Sequence, residues 1–282
     1  PDHPEPYLIY ADALLKAGAN PETADQALDK VLQMDPENRQ ALVLKGEVYY
    51  AAGDHQKALK AFQVAQESDL IANPVWSPRI SEGLGKNALH LGEIETAIAA
   101  LKDGHDRYPT DLSLTRSLAE AYQTAKLTSN ALDTAKKAAE ISPHNQDNLA
   151  WVAAFTLELG YPDEGIAALQ KLIRLNPDQT SAYLHLGKAQ ASARDHPGAV
   201  KSLSTILDFE EILPEDLLSV GQALVELGEL EKGLRALERA HTICQVNPEP
   251  SALLSEIWAV QAAAYQAAGN SKKALELLDF NI

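Results

Sequence analysis

Apolar and small residues recur every three to four positions along residues 39–69, and this spacing predicts two helices. The pattern runs through Leu42 and Gly46, breaks at Gly53, and resumes at Ala58. A glycine that ends a helix is favoured because it tolerates a positive φ, whereas a glycine inside a helix costs about 1 kcal/mol relative to alanine. Gly46 therefore needs a packing reason, and we expect the second helix to cross close against it. The segment is predicted to be a helical hairpin.

The hairpin pattern repeats along the chain in a common frame. The frame starts at Glu5, Arg39, Pro78, Leu112, Gln146, Thr180, Pro214 and Ser255, and the four intervals from Pro78 to Pro214 are 34 residues each. Irregular connections at 70–77 and 246–254 interrupt the frame. Recurrence at a fixed period predicts a repeat protein whose units pack mainly on their neighbours.

Three places in the frame carry the pattern. The eighth is small in every repeat except the first, where it is Asp12: Gly46, Gly85, Ala119, Ala153, Gly187, Gly221 and Ala262. The twentieth is always small: Ala24, Ala58, Ala97, Ala131, Gly165, Ala199, Gly233 and Ala274. The twenty-fourth is bulky in most repeats, with Ala135 as the exception. These places predict a close seam between the two helices of each hairpin.

With this period and these small places, the chain resembles the tetratricopeptide repeat (TPR) family over nearly all of its 282 residues. The resemblance implies an all-α fold, a right-handed superhelical solenoid of tandem hairpins with about sixteen helices. We expect one array over residues 1–282. Because the chain opens without methionine and stops within the last predicted helix, we expect it to be excised from a longer protein.

The composition narrows the classes of partner. The formal net charge is −16, which argues against general nucleic-acid binding because phosphate backbones bind lysine and arginine. No stretch of 18 apolar residues is present, so we predict no direct membrane insertion. The single cysteine, Cys244, cannot form an internal disulfide. The compartment stays unknown, with the cytoplasm slightly favoured.

No motif indicates an enzyme. A G-x-G-x-x-A pattern at 83–88 lies inside a predicted helix, whereas a dinucleotide site needs it between a strand and a helix. The sequence has no H-E-x-x-H, no zinc-ligand spacing, no G-x-S-x-G and no phosphate loop. We therefore predict no catalytic residue, no cofactor and no metal.

The TPR resemblance implies a concave groove, lined mainly by the first helix of each hairpin, that binds a partner peptide. Carried onto this chain, the groove positions are Val43, Glu47, Tyr50, Arg79, Glu82, Lys86, Arg116, Glu120, Gln123, Trp151, Leu184 and Lys188. Later repeats also offer Leu157, Glu158, Gln222 and Glu226. The lining is therefore expected to mix acidic, apolar and basic side chains.

Three basic residues of this set stand out on an acidic chain: Arg79, Lys86 and Arg116. On neighbouring first helices they would be able to grip a carboxylate or an acidic peptide. The alternative is that the arginines pair with Glu82 or Glu120 on their own helices, in exposed pairs worth little. The sequence leaves both interpretations open.

Two tryptophans and the last helix add further hypotheses. Trp76, in the connection 70–77, is either a plug over the neighbouring seam or an anchor for a partner. Trp151 borders the groove, where core packing is favoured over an anchoring role. The chain ends on apolar residues that include Phe280, without the polar cap that repeat arrays need. This end suggests truncation, continuation into another domain, or self-association through the uncapped C-terminal helix.

The predicted function is non-catalytic: a protein–protein interaction scaffold that holds a partner peptide or helix of unknown identity in its groove. The alternative is a recognition or regulatory domain of a larger enzyme whose catalytic domain lies outside this chain.

Overall fold

The computed structural model describes residues 3–67, 77–246 and 252–279. These segments contain sixteen α-helices and no strand. In chain order the helices are α1 (Glu5–Lys16), α2 (Pro21–Met34), α3 (Arg39–Ala51), α4 (His55–Glu67), α5 (Ser77–His90), α6 (Ile94–Arg107), α7 (Leu112–Thr124), α8 (Thr128–Ile141), α9 (Gln146–Glu158), α10 (Pro162–Leu175), α11 (Thr180–Ser192), α12 (His196–Ile206), α13 (Pro214–Glu226), α14 (Leu230–Val246), α15 (Ala252–Ala267) and α16 (Ser271–Asp279).

Consecutive helices pair as hairpins, with the odd-numbered helix first in each pair. The first helices begin at residues 5, 39, 77, 112, 146, 180, 214 and 252, each within three residues of a frame start. The predicted all-α fold of tandem helical hairpins is confirmed.

Each hairpin turns at one residue with a positive φ. Six of these residues are glycine: Gly18, Gly53, Gly92, Gly160, Gly228 and Gly269. Lys126 and Arg194 take the same conformation in the remaining two hairpins, with φ of 59° and 63°. At Gly53 the turn is closed by two backbone bonds, from Gly53 N–H to Tyr50 O and from Asp54 N–H to Tyr49 O. The predicted helix-ending role of Gly53 is confirmed.

The chain forms two compact units, Pro1–Ser142 and Pro143–Ile282. The N-terminal unit contains α1–α8 and the C-terminal unit contains α9–α16. The expectation of one array over residues 1–282 stays a prediction.

In the N-terminal unit, an aromatic ring is wedged between two hairpins. Phe62 on α4 is 1% exposed, and it touches glycines on both α3 and α5. A Cβ atom at Gly46 would lie 2.7 Å from the ring, and one at Gly83 would lie 2.4 Å from it. Gly46 therefore has the packing reason that the sequence required. Residues 83–88 lie inside α5, where Gly83 serves packing.

In the C-terminal unit the seams are built from leucine. A Cβ atom at Gly187 would lie 2.5 Å from Leu203, and one at Gly221 would lie 2.6 Å from Leu237. Both leucines are fully buried in one core cluster with residues of α11–α15. The eighth and twenty-fourth places of the frame thus meet across the hairpin, as their sizes predict.

Candidate functional site

A pocket of about 240 Å³ opens beside Phe62 in the N-terminal unit. We call it the α3–α5 pocket; it is lined by Glu47, Tyr50, Phe62, Arg79, Glu82, Gly83, Lys86 and Asn87. Five of the predicted groove residues, from two successive first helices, are brought together here: Glu47, Tyr50, Arg79, Glu82 and Lys86. The register of the repeats therefore places them on one surface.

One wall of the pocket is an ion pair between hairpins. The Arg79 guanidinium on α5 donates to both carboxylate oxygens of Glu47 on α3, with Nε–Oε1 at 2.8 Å and Nη2–Oε2 at 2.5 Å. Both side chains are 32% exposed, so this two-pronged pair is only partly screened by water. Arg79 thus pairs with Glu47 of the preceding hairpin, a partner that neither sequence interpretation named.

The opposite wall is centred on Glu82. Its Oε1 accepts from Lys86 Nζ at 2.5 Å, from Ser113 Oγ at 2.6 Å and from Ser117 Oγ at 3.2 Å. Burial alone would lower the pKa of Lys86, but the charge of Glu82 and its hydrogen bond raise that pKa above its usual value. Lys86 therefore stays protonated, and Glu82 connects α5 to α7 through the two serines.

The two cations of the pocket are thus matched by two carboxylates. Arg79 pairs with Glu47, and Lys86 pairs with Glu82. The four formal charges sum to zero, so the pocket itself does not present an excess of positive charge. An acidic peptide would have to displace an existing carboxylate partner.

An aromatic cluster borders the pocket at the end of α3. The rings of His55 and His90 are stacked with centroids 4.1 Å apart, and the Tyr50 ring meets each of them edge-on at 5.6 Å. Asn87 is fully buried; its Nδ2 donates to Gly83 O at 2.7 Å, and its Oδ1 lies 3.1 Å from His55 Nδ1. Because the Asn87 oxygen is the acceptor, His55 carries its proton on Nδ1. The cluster holds Tyr50 at the rim, where the ring is 37% exposed.

The remaining groove residues of the N-terminal unit lie on α7. Arg116 and Gln123 are half-buried and Glu120 is exposed, and none of the three lines the α3–α5 pocket. Glu120 nonetheless contributes to the raised pKa of Lys86 through its charge. The charge of Glu120 on α7 therefore acts on Lys86 of α5, although the pocket itself is lined by residues of α3, α4 and α5.

Two predicted groove residues are core residues instead. Val43 is 0% exposed and packs with Phe62 and Ile80, whereas Leu184 is 6% exposed and packs with Leu203. Both occupy the fifth place of the frame, which lies at the border of the core. An apolar side chain there turns inward because burial is favourable.

The tryptophan hypotheses have different outcomes. Trp151 is half-buried and stacks on Phe155 of the same helix, with centroids 4.8 Å apart. This contact agrees with a packing role. Trp76 and Phe280 lie outside the described residues, so the anchor hypothesis and self-association through the C-terminal end stay predictions.

In the C-terminal unit, α11 and α13 form a wider and more open pocket of about 570 Å³. Its lining includes the predicted groove residues Lys188, Gln222 and Glu226, together with Ser192 and Ser219. Lys188 is exposed. This surface is polar and lacks an aromatic side chain among its lining residues.

Residues 3–67, 77–246 and 252–279 contain no cluster of three or more histidine, cysteine, aspartate or glutamate side chains placed to hold a metal ion. Within the same segments, no helix combines the length and apolarity that crossing a membrane requires.

Comparison with protein families gives a match to the tetratricopeptide repeat at residues 10–70 and 157–211. These segments fall in both compact units and cover hairpins that the frame had delimited. These two segments of the chain are similar to tetratricopeptide repeats.

A relative of this chain also carries the TPR name. The TPR repeat-containing protein YpiA of Bacillus subtilis is 25% identical over 274 residues, which cover 86% of this chain. The chain spans 64% of the length of that relative.

Solved structures share the fold. The C-terminal part of a TPR repeat-containing protein from Cytophaga hutchinsonii matches 96% of this chain and 99% of its own, with 16% identity and a TM-score of 0.60. A tetratricopeptide repeat protein from Parabacteroides merdae matches 92% of this chain and 98% of its own, with 15% identity and a TM-score of 0.53. At these identities the likeness shows the fold alone.

Several residues of the α3–α5 pocket were not predicted from the sequence. Gly83 and Asn87 lie outside the repeating small places, and Ser113 and Ser117 reach Glu82 from α7. The one available signal was Gly83 itself, a second glycine inside a helix that already had Gly85 at its small place.

Proposed function

We propose that this chain is a non-catalytic scaffold that binds a segment of a partner protein along α3, α5 and α7, with one partner side chain seated in the α3–α5 pocket. The observation that carries the proposal is the convergence of Glu47, Tyr50, Arg79, Glu82 and Lys86 on this pocket. A concave pocket with an aromatic rim and a few fixed polar groups is the usual form of a recognition site.

The charge pairs favour a partner segment of mixed or low net charge. Arg79 and Lys86 already have carboxylate partners, and exchanging a carboxylate for another gains little. The backbone or polar side chains of a peptide can instead form hydrogen bonds with the exposed atoms of the two ion pairs, without breaking either pair. Tyr50 supplies the apolar contact, since tyrosine is enriched among the residues that dominate binding energy.

Selection from a displayed library of random peptides on the purified chain tests the proposal. Selected peptides are then measured by fluorescence polarisation against the wild type, Tyr50→Ala and Lys86→Gln. We expect Tyr50→Ala to weaken binding by about tenfold or more, because it removes the aromatic rim. Lys86→Gln should weaken binding less, because it removes one charged donor.

A matched control is available on α6. Lys102 pairs with Asp106 over four residues of one helix, as Lys86 pairs with Glu82, but it lies outside the pocket. Lys102→Gln should leave binding unchanged. If no peptide is selected, or if the selected peptides bind the two pocket variants as tightly as the wild type, the proposed site is wrong.

The alternative, a recognition domain of a larger enzyme, stays a prediction that the full reading frame tests. Self-association is tested by the mass of the chain in solution: a mass that stays monomeric at high concentration would exclude it.

A further inference from the structure

A second pocket, of about 280 Å³, lies between α14, α15 and α16 in the C-terminal unit. We call it the α14–α16 pocket; it is lined by Glu238, His241, Gln261, Tyr265, Lys273, Glu276 and Leu277. Two of its three walls are second helices of their hairpins, whereas the proposed partner groove is built from first helices. It is therefore a separate surface, and it does not depend on the function proposed above.

One residue that lines this pocket carries an unsatisfied polar group. Gln261 is 2% exposed, and its Oε1 has no hydrogen-bond partner among the described residues. A buried amide oxygen without a donor costs free energy, and most buried polar groups in folded proteins are paired. Because Gln261 lines the pocket, a ligand that donates an N–H to Oε1 would remove this cost.

Two further polar groups of the pocket, on Glu238 and His241, are acceptors. Glu238 accepts a hydrogen bond from the Tyr265 hydroxyl at 2.6 Å, and burial together with this bond raises the pKa of Tyr265 to about 12. His241 Nε2 accepts from the Trp258 indole at 3.1 Å. Burial lowers the pKa of His241, so the ring stays neutral at neutral pH. The walls therefore favour a ligand that donates hydrogen bonds.

The charges of the lining favour a cation. Glu238 and Glu276 carry two negative charges against the one positive charge of Lys273, in a chain of net charge −16. The Lys273 ammonium lies 5.0 Å from the centre of the Tyr265 ring. This aromatic face thus already holds a cation, supplied by an exposed side chain that is free to turn into solvent.

We propose that the α14–α16 pocket binds the side chain of an arginine from a partner segment, whose guanidinium donates to Gln261 Oε1 and to the Glu238 carboxylate and replaces Lys273 on the Tyr265 ring. Guanidinium suits this set of groups because it has five donors in a planar fork and stacks on aromatic faces. A lysine ammonium cannot stack and bridge the two acceptors in the same plane.

Nuclear magnetic resonance on the intact chain tests the assignment. The probe is N-acetyl-arginine methylamide, and the reporter is the indole N–H of Trp258, identified by its loss in Trp258→Phe. This N–H bonds to the pocket residue His241, so an occupied pocket changes its environment. We expect a saturable shift with the arginine probe. The neutral citrulline analogue should bind about tenfold more weakly, since hydrogen bonds that involve a charged group are stronger.

Three variants separate binding from structure. Gln261→Met keeps a side chain of similar length but removes the acceptor, and it should weaken binding of the arginine probe by about tenfold. Lys273→Ala, on the exposed side of α16, should tighten binding several-fold because it removes the competing cation. The matched control Lys232→Ala, on α14 and outside the pocket, should not change binding.

The proposal is overturned if the Trp258 resonance does not move, if citrulline binds as well as arginine, or if Lys273→Ala weakens binding. Lys273→Ala keeps the test decisive even if Gln261→Met does not fold.

Discussion

The hairpins α3–α4 and α11–α12 follow the same frame but close their seams in different ways. In α3–α4 the bulky residue is Phe62, and it needs glycine at two places, Gly46 on its own hairpin and Gly83 on the next. In α11–α12 it is Leu203, and Gly187 within the same hairpin is sufficient. A larger side chain at the twenty-fourth place therefore extends the requirement for a small residue into the neighbouring hairpin.

At the turns it is the α11–α12 hairpin that has the less favourable residue. The α3–α4 turn uses Gly53, which takes a positive φ at no steric cost, whereas the α11–α12 turn places Arg194 at φ 63°. A polar network surrounds that second turn. Asp195 accepts from Gln190 Nε2 at 3.3 Å and from Gly198 N–H at 3.0 Å, and Ser202 Oγ donates to Gln190 Oε1 at 2.6 Å. The two hairpins therefore share the same backbone path, and the unfavourable backbone conformation at Arg194 is accompanied by hydrogen bonds in its own hairpin.

The largest expected effect is the loss of the wedged ring. Phe62→Ala should lower the free energy of unfolding by about 3–5 kcal/mol, because it leaves a cavity between two hairpins. Leu203→Ala is the matched substitution in α11–α12 and should cost about 2–4 kcal/mol. Urea denaturation measures both, and hydrogen exchange shows which amides lose protection. A loss below about 2 kcal/mol for Phe62→Ala would contradict the wedge.

The next effect tests the second glycine. Gly83→Ala should cost about 1–3 kcal/mol, because the added Cβ atom would lie 2.4 Å from the Phe62 ring. Combining it with Phe62→Leu should recover part of this loss, since the shorter side chain leaves room. Ser219 occupies the same place of the frame in α13, and Ser219→Ala should change stability by less than about 0.5 kcal/mol. If the double variant is no more stable than Gly83→Ala alone, the ring is not the cause.

A smaller effect with the opposite sign is expected at the turn. Arg194→Gly should stabilise the chain by about 0.5–1 kcal/mol, because it removes a strained backbone conformation at some cost in chain entropy. Gly53→Ala should destabilise it by about 1–2 kcal/mol for the same reason. Thermal unfolding compares the two. Destabilisation by Arg194→Gly would show that the arginine side chain contributes more than its backbone strain costs.

The smallest effect concerns pH. Burial, helped by the charge of Lys137, lowers the pKa of His105 below its ordinary value of 6.5, and Nδ1 lies 3.1 Å from Thr115 Oγ1. The unfolded chain therefore takes up the proton first. The contribution to stability is complete above about pH 6.5 and is lost as the pH falls through the lower, folded-state pKa. His105→Gln should flatten the decline of the unfolding midpoint below pH 6.5.

The sequence predicted the hairpins because their signals repeat. The small eighth place and the bulky twenty-fourth place were interpretable because they recur in most of the repeats. Helix starts were likewise predicted within three residues, because each follows a turn at a fixed spacing. Regular packing is a local consequence of side-chain size, so it can be inferred from the order of residues.

The ion pairs of the groove were harder to predict from the sequence than the hairpins. The frame placed Arg79 and Glu47 on one surface, but it did not indicate that they bind each other, because the two residues are 32 positions apart on different hairpins. Long side chains choose among several partners within reach, and burial decides between them. Val43 and Leu184 were misplaced for a related reason: a border position becomes core or surface according to the side chain that occupies it.

The α14–α16 pocket was not predicted, although Gln261 carried a signal. It is a polar residue among the apolar positions of α15, where a buried amide needs a donor. A family frame directs attention to the first-helix groove, so a polar residue at a buried place was overlooked.

Phe62 is a core residue and also lines the α3–α5 pocket. The substitutions that this part of the pocket tolerates are therefore limited by the packing of the core. A substitution of Phe62, Gly46 or Gly83 that reshaped the pocket would also disturb the packing between the two hairpins. Tyr50 lies on the rim, where it is 37% exposed, and can vary at a smaller cost to folding. We therefore expect substitutions at the rim to be tolerated more readily than substitutions of the ring and its two glycines.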